Sequence, residues 1–334
     1  MELGESLTPR RPMERETVKV AVLDDYQHVA ERYGDWGSLP RGVSVTFFHD
    51  WLPFGAELIE RLQPFDVIGV MRERTPFPLA LLSELPNLRL LVTTGSHNEA
   101  IDMDAARELG VVVSGTRSHG RTASELAIAM LLNLARRVPD EISSVRSGGW
   151  QTGVGRGVYG KVLGIVGLGN IGSQVAVVAL ALGMRTIAYS PFTPKQDAEA
   201  IGVELFDDLH AMLGGADFVS IHVKLNDGTR GMIGAKELAA MQPHAYLINT
   251  SRGPVVDEGA LIDACSRGVI AGAALDVYSQ EPLPPDHPFR RHPNVYPTPH
   301  IGYVIEEAYE IYYQDMVEAI HAFLEGSPIR VLNA

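Results

Sequence analysis

Between Gly160 and Ser190 the chain reads GKVLGIVGLGNIGSQVAVVALALGMRTIAYS. No other stretch limits the fold as strongly. Val162 to Val166 is an apolar run of strand length, and Gly167-Leu168-Gly169-Asn170-Ile171-Gly172 follows at once. Ile171 to Leu182 carries a helix-length apolar run that Gly183 stops, and Thr186 to Tyr189 begins another strand. A G-x-G-x-x-G match carries weight only in this strand, turn, helix, strand context. Gly167 permits the tight turn, Gly169 lets a pyrophosphate approach the backbone, and Gly172 lets helix pack closely on strand. The N–H groups at the helix start, around Asn170 and Ile171, face the phosphates. The stretch predicts a dinucleotide site.

An NAD site usually carries Asp or Glu at the end of the second strand, to accept from the ribose 2′-OH. Here that position is Ser190, so no carboxylate repels a 2′-phosphate, and Lys195 follows closely enough to pair with one. The pattern leans towards NADP(H). Ser190 is also compatible with NAD, and Lys195 read as a solvated loop charge is the competing interpretation.

The 334 residues suggest two domains, and 46% hydrophobic with 21% charged residues is the composition of a globular protein. A net charge of −13 argues against nucleic acid or an anionic membrane as partner. The single cysteine, Cys265, rules out an intrachain disulfide and suits a reducing compartment. No apolar run is long enough to span a bilayer. Residues 1–16 are polar without an apolar core, so a disordered tail and a cytoplasmic protein are expected.

Before the glycine-rich turn, strands are predicted at Val18–Leu23, Val43–Phe48, Val67–Met71, Leu88–Thr93 and Val111–Val113, with helices between them. This is an α/β unit with a parallel sheet and no phosphate-binding glycines, hence a separate domain. Ala123 to Arg137 predicts a helix buried on more than one face. After Val162 the strands continue at Phe218–His222, Ala245–Asn249, Ile270–Leu275 and Val295–Pro297, with helices at Ala235–Met241 and Asp257–Arg267 among others. A long helix from about Val304 to Leu324 is expected to return to the first domain, making that domain discontinuous.

Three stretches follow strands of the second series: Asn249-Thr250-Ser251-Arg252-Gly253, Asp276 to Pro282, and Thr298-Pro299-His300-Ile301-Gly302. Carboxyl ends of strands are where open α/β sheets bind ligands. Moving a hydride from a nicotinamide to a 2-keto acid calls for a proton donor to the developing alkoxide, which His supplies near neutral pH. A neighbouring carboxylate favours the charged imidazole and orients its ring. Arg is the planar donor for the substrate carboxylate and carbonyl. His300, Glu281 and Arg252 fill these roles. With eleven His in the chain, and with Glu281 equally readable as a loop charge before Pro282, the residues alone leave the assignment open.

As a set, these motifs resemble the D-isomer-specific 2-hydroxyacid dehydrogenase family: G-x-G-x-x-G at 167–172, NTSRGPVVDEGAL at 249–261, GAALDVYxxEPLP at 272–284 and TPHIG at 298–302. The resemblance covers nearly everything from Val18 to Asn333. It implies Arg252, Glu281 and His300 as the catalytic set. It also implies Asp276 at the nicotinamide carboxamide, Thr250 lining the nicotinamide pocket, Thr229 on the cofactor side, His222 near the adenosine side and Gly302 among the cofactor-binding residues. A Rossmann domain (118–301) would be inserted into a smaller flavodoxin-like substrate domain (17–117 and 302–334), with dimerisation through the helix near 121–137. The implied reaction interconverts a small 2-keto acid and a D-2-hydroxy acid, with NAD(P)(H) and no metal.

The family's Gly-rich turn after the fourth strand reads here Thr94-Gly95-Ser96-His97-Asn98, making Gly95, Ser96 and His97 candidate contacts to the substrate carboxylate. His97 departs from the family pattern, as does Lys224 where Pro is usual. Arg72 and Arg74 read at least as well as a structural pair, and either could also reach a second anionic group on a substrate. Two other readings share the fold: a cofactor-sensing corepressor, and a formate dehydrogenase-like enzyme, against which Glu281 argues.

Overall fold

The computed structural model describes residues 17–334; the disordered tail expected at 1–16 lies outside the described residues. The chain divides into two compact units, residues 17–119 with 305–334, and residues 120–304.

The first unit holds five parallel strands: β1 (Val18–Val22), β2 (Val43–Phe47), β3 (Val67–Val70), β4 (Leu90–Thr93) and β5 (Val112–Ser114). Their order is β2-β1-β3-β4-β5. β3 and β4 are buried at every position, as continuous apolar strands in a parallel sheet covered on both faces must be. Its helices are α1 (Ala30–Tyr33), α2 (Ala56–Leu62), α3 (Leu79–Leu82) and α4 (Met103–Glu108). The last begins at Asp102, whose side chain accepts from the Ala105 N–H and so satisfies one orphan donor of the first turn. The strand order reverses between β1 and β3, so the loops after them, 23–28 and 71–75, sit where such sheets bind ligands.

The second unit opens with α5 (Thr122–Arg136) and α6 (Val138–Arg146). β6 (Val162–Val166), α7 (Asn170–Ala181) and β7 (Arg185–Tyr189) follow, then α8 (Lys195–Ala200), β8 (Glu204–Phe206), α9 (Leu209–Gly214) and β9 (Phe218–Ile221). α10 (Ala235–Ala240), β10 (Tyr246–Asn249), α11 (Glu258–Arg267), β11 (Gly272–Leu275) and β12 (Val295–Pro297) complete it. The seven strands run in the order β12-β11-β10-β9-β6-β7-β8, and every pairing is parallel. This is the Rossmann arrangement, with its switch point between β6 and β9. The final helix, α12 (Glu306–Leu324), belongs to the first unit and buries Tyr309, Tyr312, Tyr313, Met316 and Ile320 there.

The helix expected through Arg137 stops one residue earlier. Arg137 adopts a left-handed conformation (φ 53°), and its guanidinium bonds Asp140 at 3.1 Å. A new helix then starts with Pro139 in its first turn, where proline costs no hydrogen bond. The sequence reading placed no helix between Arg137 and Val162 and so missed α6. Lys195 likewise is not a loop charge: it opens α8 and faces Glu199 one turn on, at 3.7 Å. Four short elements, α1, α8, β8 and α9, escaped the sequence reading because three to six residues are too few to show a period.

Candidate functional site

In the second unit the dinucleotide turn is built as its glycines require. Gly167 has φ +94°, and its N–H donates to the Tyr189 carbonyl at 2.9 Å. A Cβ there would lie 2.7 Å from Val223 Cγ1. A Cβ on Gly172 would overlap the Gly167 carbonyl oxygen. Gly169 differs from both: a Cβ added to it meets nothing within 4 Å and projects into open space. That open space borders the start of α7, where Asn170 and Ile171 are exposed and the first N–H groups have no acceptor inside the helix. A pyrophosphate fits there. The Ser190 hydroxyl accepts from the Leu168 N–H at 3.0 Å and bonds the Thr193 hydroxyl at 2.8 Å, so it braces the glycine turn.

His222 follows β9, with its Nε2 at 2.8 Å from the Ser220 hydroxyl. Part of the residue remains accessible, yet burial lowers its imidazole to about 4, so it is neutral at pH 7. Thr229 shapes its own turn, donating to the Lys224 carbonyl at 2.6 Å and accepting from the Asn226 N–H. Thr250, just past β10, is buried, and its hydroxyl finds no hydrogen-bond partner among the described residues. A buried hydroxyl without a partner has hydrogen-bonding capacity left for a ligand or a water.

The three candidate stretches meet in one constellation. Glu281 Oε2 accepts from His300 Nδ1 at 2.6 Å, and Glu281 Oε1 accepts from the Tyr278 N–H at 2.9 Å. The carboxylate thereby sets the imidazole tautomer with the proton on Nδ1 and directs Nε2 elsewhere. The Tyr303 ring meets the imidazole edge-on, with centroids 5.4 Å apart. His300 itself is held at φ +52°. Asp276 stabilises that turn: Oδ1 accepts from Ile301 N at 2.8 Å and the Thr298 hydroxyl at 2.6 Å, and Oδ2 accepts from Gly302 N at 2.8 Å. Burial raises the Asp276 carboxyl, and the bonds from Thr298 and Ile301 oppose it.

Arg252 extends from a turn knotted by Asn249. The Asn249 side chain donates to the Arg252 carbonyl at 3.0 Å and accepts from Ser251 N at 3.0 Å. Gly253 lies so close to the Tyr278 backbone that any Cβ would overlap it. The turn bearing Arg252 is therefore seated on the segment that bears Glu281. Glu258 fixes the same segment, accepting from Ser279 N at 2.7 Å while its other oxygen lies 3.6 Å from His287. Asn249, Glu258 and Tyr278 were missed in the sequence. Asn two residues before a bonded N–H is a recognisable Asx-turn signal; the other two left none.

In the first unit Arg72 is left-handed (φ 53°), and its N–H donates to Thr94 Oγ1 at 2.8 Å. Its guanidinium bonds the Thr94 carbonyl at 3.2 Å and faces Glu73 at 3.5 Å. It covers Gly95, where a Cβ would overlap it. Gly95 N donates to Thr116 Oγ1 at 2.7 Å, and Ser96 and His97 are exposed beyond it. Asn98, also missed, ties the two loops together by donating to the Arg72 carbonyl at 2.7 Å. Arg74 donates to the Asp24 carbonyl at 2.5 Å and lies over the Tyr26 ring, 4.4 Å from its centroid.

A Rossmann unit with this glycine turn defines a nucleotide-binding α/β protein, and the family model described as "D-isomer specific 2-hydroxyacid dehydrogenase, NAD binding domain" matches residues 128–302. The chain belongs to the D-isomer specific 2-hydroxyacid dehydrogenase family. It is 38% identical over 273 residues to D-3-phosphoglycerate dehydrogenase of Methanocaldococcus jannaschii, covering 81% of this chain and 52% of that protein. It is 40% identical over 264 residues to glyoxylate reductase of Thermococcus litoralis, covering 76% and 79%. A crystal structure of an oxidoreductase from Ralstonia solanacearum superimposes with TM-score 0.89 at 33% identity, covering 95% and 97%. The chain spans about half the length of the D-3-phosphoglycerate dehydrogenases it matches. Among the described residues, no helix is long and apolar enough to cross a membrane.

Proposed function

We propose that the protein is a nicotinamide-dependent dehydrogenase interconverting a small 2-keto acid and its D-2-hydroxy acid. The observation that carries this reading is the Glu281–His300 pair, bonded at 2.6 Å and braced against the turn that bears Arg252. When bound, the nicotinamide supplies or takes up the hydride. His300 Nε2 gives the proton to the carbonyl oxygen in reduction and removes it from the hydroxyl in oxidation. Glu281 holds the tautomer and the orientation of the ring. Arg252 binds the substrate carboxylate and polarises the carbonyl. Thr250 and Asp276 border the nicotinamide, with Gly302, and His222 and Thr229 border the cofactor's other half.

Ser190 leaves the 2′ position without a carboxylate, and Lys195 at the α8 N-terminus adds a cation, so NADPH is accepted at least as well as NADH. The protein acts as a homodimer in a reducing compartment such as the cytoplasm. Support for the dimer is the apolar surface exposed on α6 and just after it, at Ile142, Val145, Trp150, Val154 and Tyr159.

The test is absorbance at 340 nm, with NADH or NADPH and a panel of glyoxylate, hydroxypyruvate, pyruvate, phenylpyruvate and 2-ketoglutarate. Oxidation of one cofactor by one of these acids supports the reading and identifies both reactants. Tight cofactor binding without turnover of any pair contradicts it.

A further inference from the structure

We propose that Tyr278 is a positioning residue for proton transfer, its hydroxyl holding the turn that bears His300 so that the imidazole stays aligned with Glu281. The kinetic part of the inference rests on the dehydrogenase reading above and adds to it the group that joins the two halves of the acid–base pair.

Glu281 and His300 stand on different loops, one after β11 and one after β12, and a bond of 2.6 Å between them tolerates little drift. Tyr278 touches both loops. Its N–H donates to Glu281 Oε1 at 2.9 Å, leaving Oε2 to the imidazole. Its hydroxyl crosses to the other loop and donates to the Thr298 carbonyl at 2.7 Å, with the Leu275 carbonyl at 3.0 Å as the alternative acceptor. The Thr298 carbonyl also accepts from the His300 N–H at 3.0 Å, so the backbone of the histidine rests on that atom. Asp276 does not hold it: its oxygens take the Thr298 hydroxyl and the N–H groups of Ile301 and Gly302. Without the Tyr278 hydroxyl the carbonyl is free to tilt, and the left-handed residue two positions on moves with it. Tyr278 closes the third side of the constellation as well, because its carbonyl group is what a Cβ on Gly253 would overlap, next to Arg252. The residue is buried, and its ring lies beside Phe289 with centroids 6.4 Å apart. Burial, with the Asp276 and Glu281 carboxylates nearby, raises the hydroxyl, so it stays a donor at neutral pH. Phenylalanine at this position keeps the ring, the N–H and the packing and removes only the bond across the loops.

The experiment compares wild type, Tyr278→Phe and Phe289→Leu, each carrying isotopically labelled histidine, with the His300 signal identified as the one lost in His300→Ala. At about pH 9, above the ordinary imidazole range, nuclear magnetic resonance shifts of the ring nitrogens give the ratio of Nδ1–H to Nε2–H tautomer without substrate or cofactor. Wild type should be mostly Nδ1–H. Tyr278→Phe should lower the ratio by ~10-fold, as a charge-assisted bond loses its alignment. It should also slow single-turnover oxidation of bound NADH by a keto acid by ~10-fold, while NADH affinity stays within about two-fold. Phe289→Leu loosens the same packing without touching the hydroxyl; it should lose stability in urea yet keep both the ratio and the rate. A wild type without a dominant Nδ1–H tautomer, an unchanged ratio in Tyr278→Phe, a lowered ratio with an undiminished rate, or an equal fall in Phe289→Leu overturns the proposal. A ratio lowered only in Tyr278→Phe, in a protein whose wild type reduces none of the keto acids, supports the hold of the hydroxyl on the pair and counts against the dehydrogenase reading alone.

Discussion

The three glycines of the dinucleotide turn separate folding from cofactor binding, and a pair of alanine substitutions reads each role. Gly169 has φ −83° and ψ −160°, backbone that alanine adopts without strain, and its added Cβ touches nothing. Gly169→Ala should therefore change stability by no more than ~0.5 kcal/mol. The same methyl group occupies the space into which a pyrophosphate must come, so NADH affinity should fall at least ~10-fold, or about 1.4 kcal/mol. Gly172→Ala should behave in the opposite sense. Inside α7 alanine gains about 1 kcal/mol in helix propensity over glycine. The Cβ, however, overlaps a backbone oxygen that no rotamer change can move, and lifting the helix off β6 should cost more than that gain, leaving a net loss of ~1–3 kcal/mol. Quenching or enhancement of NADH fluorescence gives the affinity, and urea unfolding gives the stability. Wild-type affinity in Gly169→Ala would refute the placement of the phosphates, and wild-type stability in Gly172→Ala would refute the packing argument.

Other consequences are open to measurement. His300→Ala and Arg252→Ala should each lower kcat/KM by at least ~10²-fold while NADH affinity stays within about two-fold of wild type; near-normal turnover in either overturns its role. Ser190→Asp should shift the NADH-to-NADPH ratio of kcat/KM towards NADH by ~10-fold, and an unchanged ratio would place the 2′ site elsewhere. Burial raises the Asp24 carboxyl from 3.8 to about 6, against the Thr75 and Arg74 interactions that lower it. Because the folded state binds this proton more tightly, the favourable contribution is present below pH 4 and is lost as pH rises to 6. Asp24→Asn should then gain stability relative to wild type as pH rises from 4 to 7, by up to ~3 kcal/mol in urea unfolding; a difference that is flat with pH would show that Asp24 titrates normally.

What the sequence revealed and what it hid divide along a physical line. Strand positions were legible because β3, β4, β9 and β11 are buried at every residue and appear as uninterrupted apolar runs. The glycine turn was legible because its signal is local, three glycines within six residues between a strand and a helix, although the contact that excludes a Cβ at Gly167 comes from residues 222 and 223. α6 was not, since a proline in the first turn of a helix and a proline that ends one look identical until the preceding residue's conformation is known. Arg137, a non-glycine residue at φ 53°, is what distinguishes them here.

The candidate site shows the same division more sharply. His300, Glu281 and Arg252 announce themselves by residue type and motif. The groups that aim them do not, because their partners are distant in sequence. Asp276 holds the His300 turn through atoms 22 to 26 residues away, and Glu258 reaches Ser279, 21 residues on. The sequence placed Asp276 only at the nicotinamide. Three hydrogen bonds to residues 298, 301 and 302 give it a second task, since a left-handed histidine needs its neighbours' N–H groups fixed to stay where it is. One carboxylate orients the imidazole from the side, through Nδ1, and another holds the backbone beneath it. The two work on different degrees of freedom, ring tautomer and backbone turn, so losing either leaves the other in place while His300 Nε2 loses its aim.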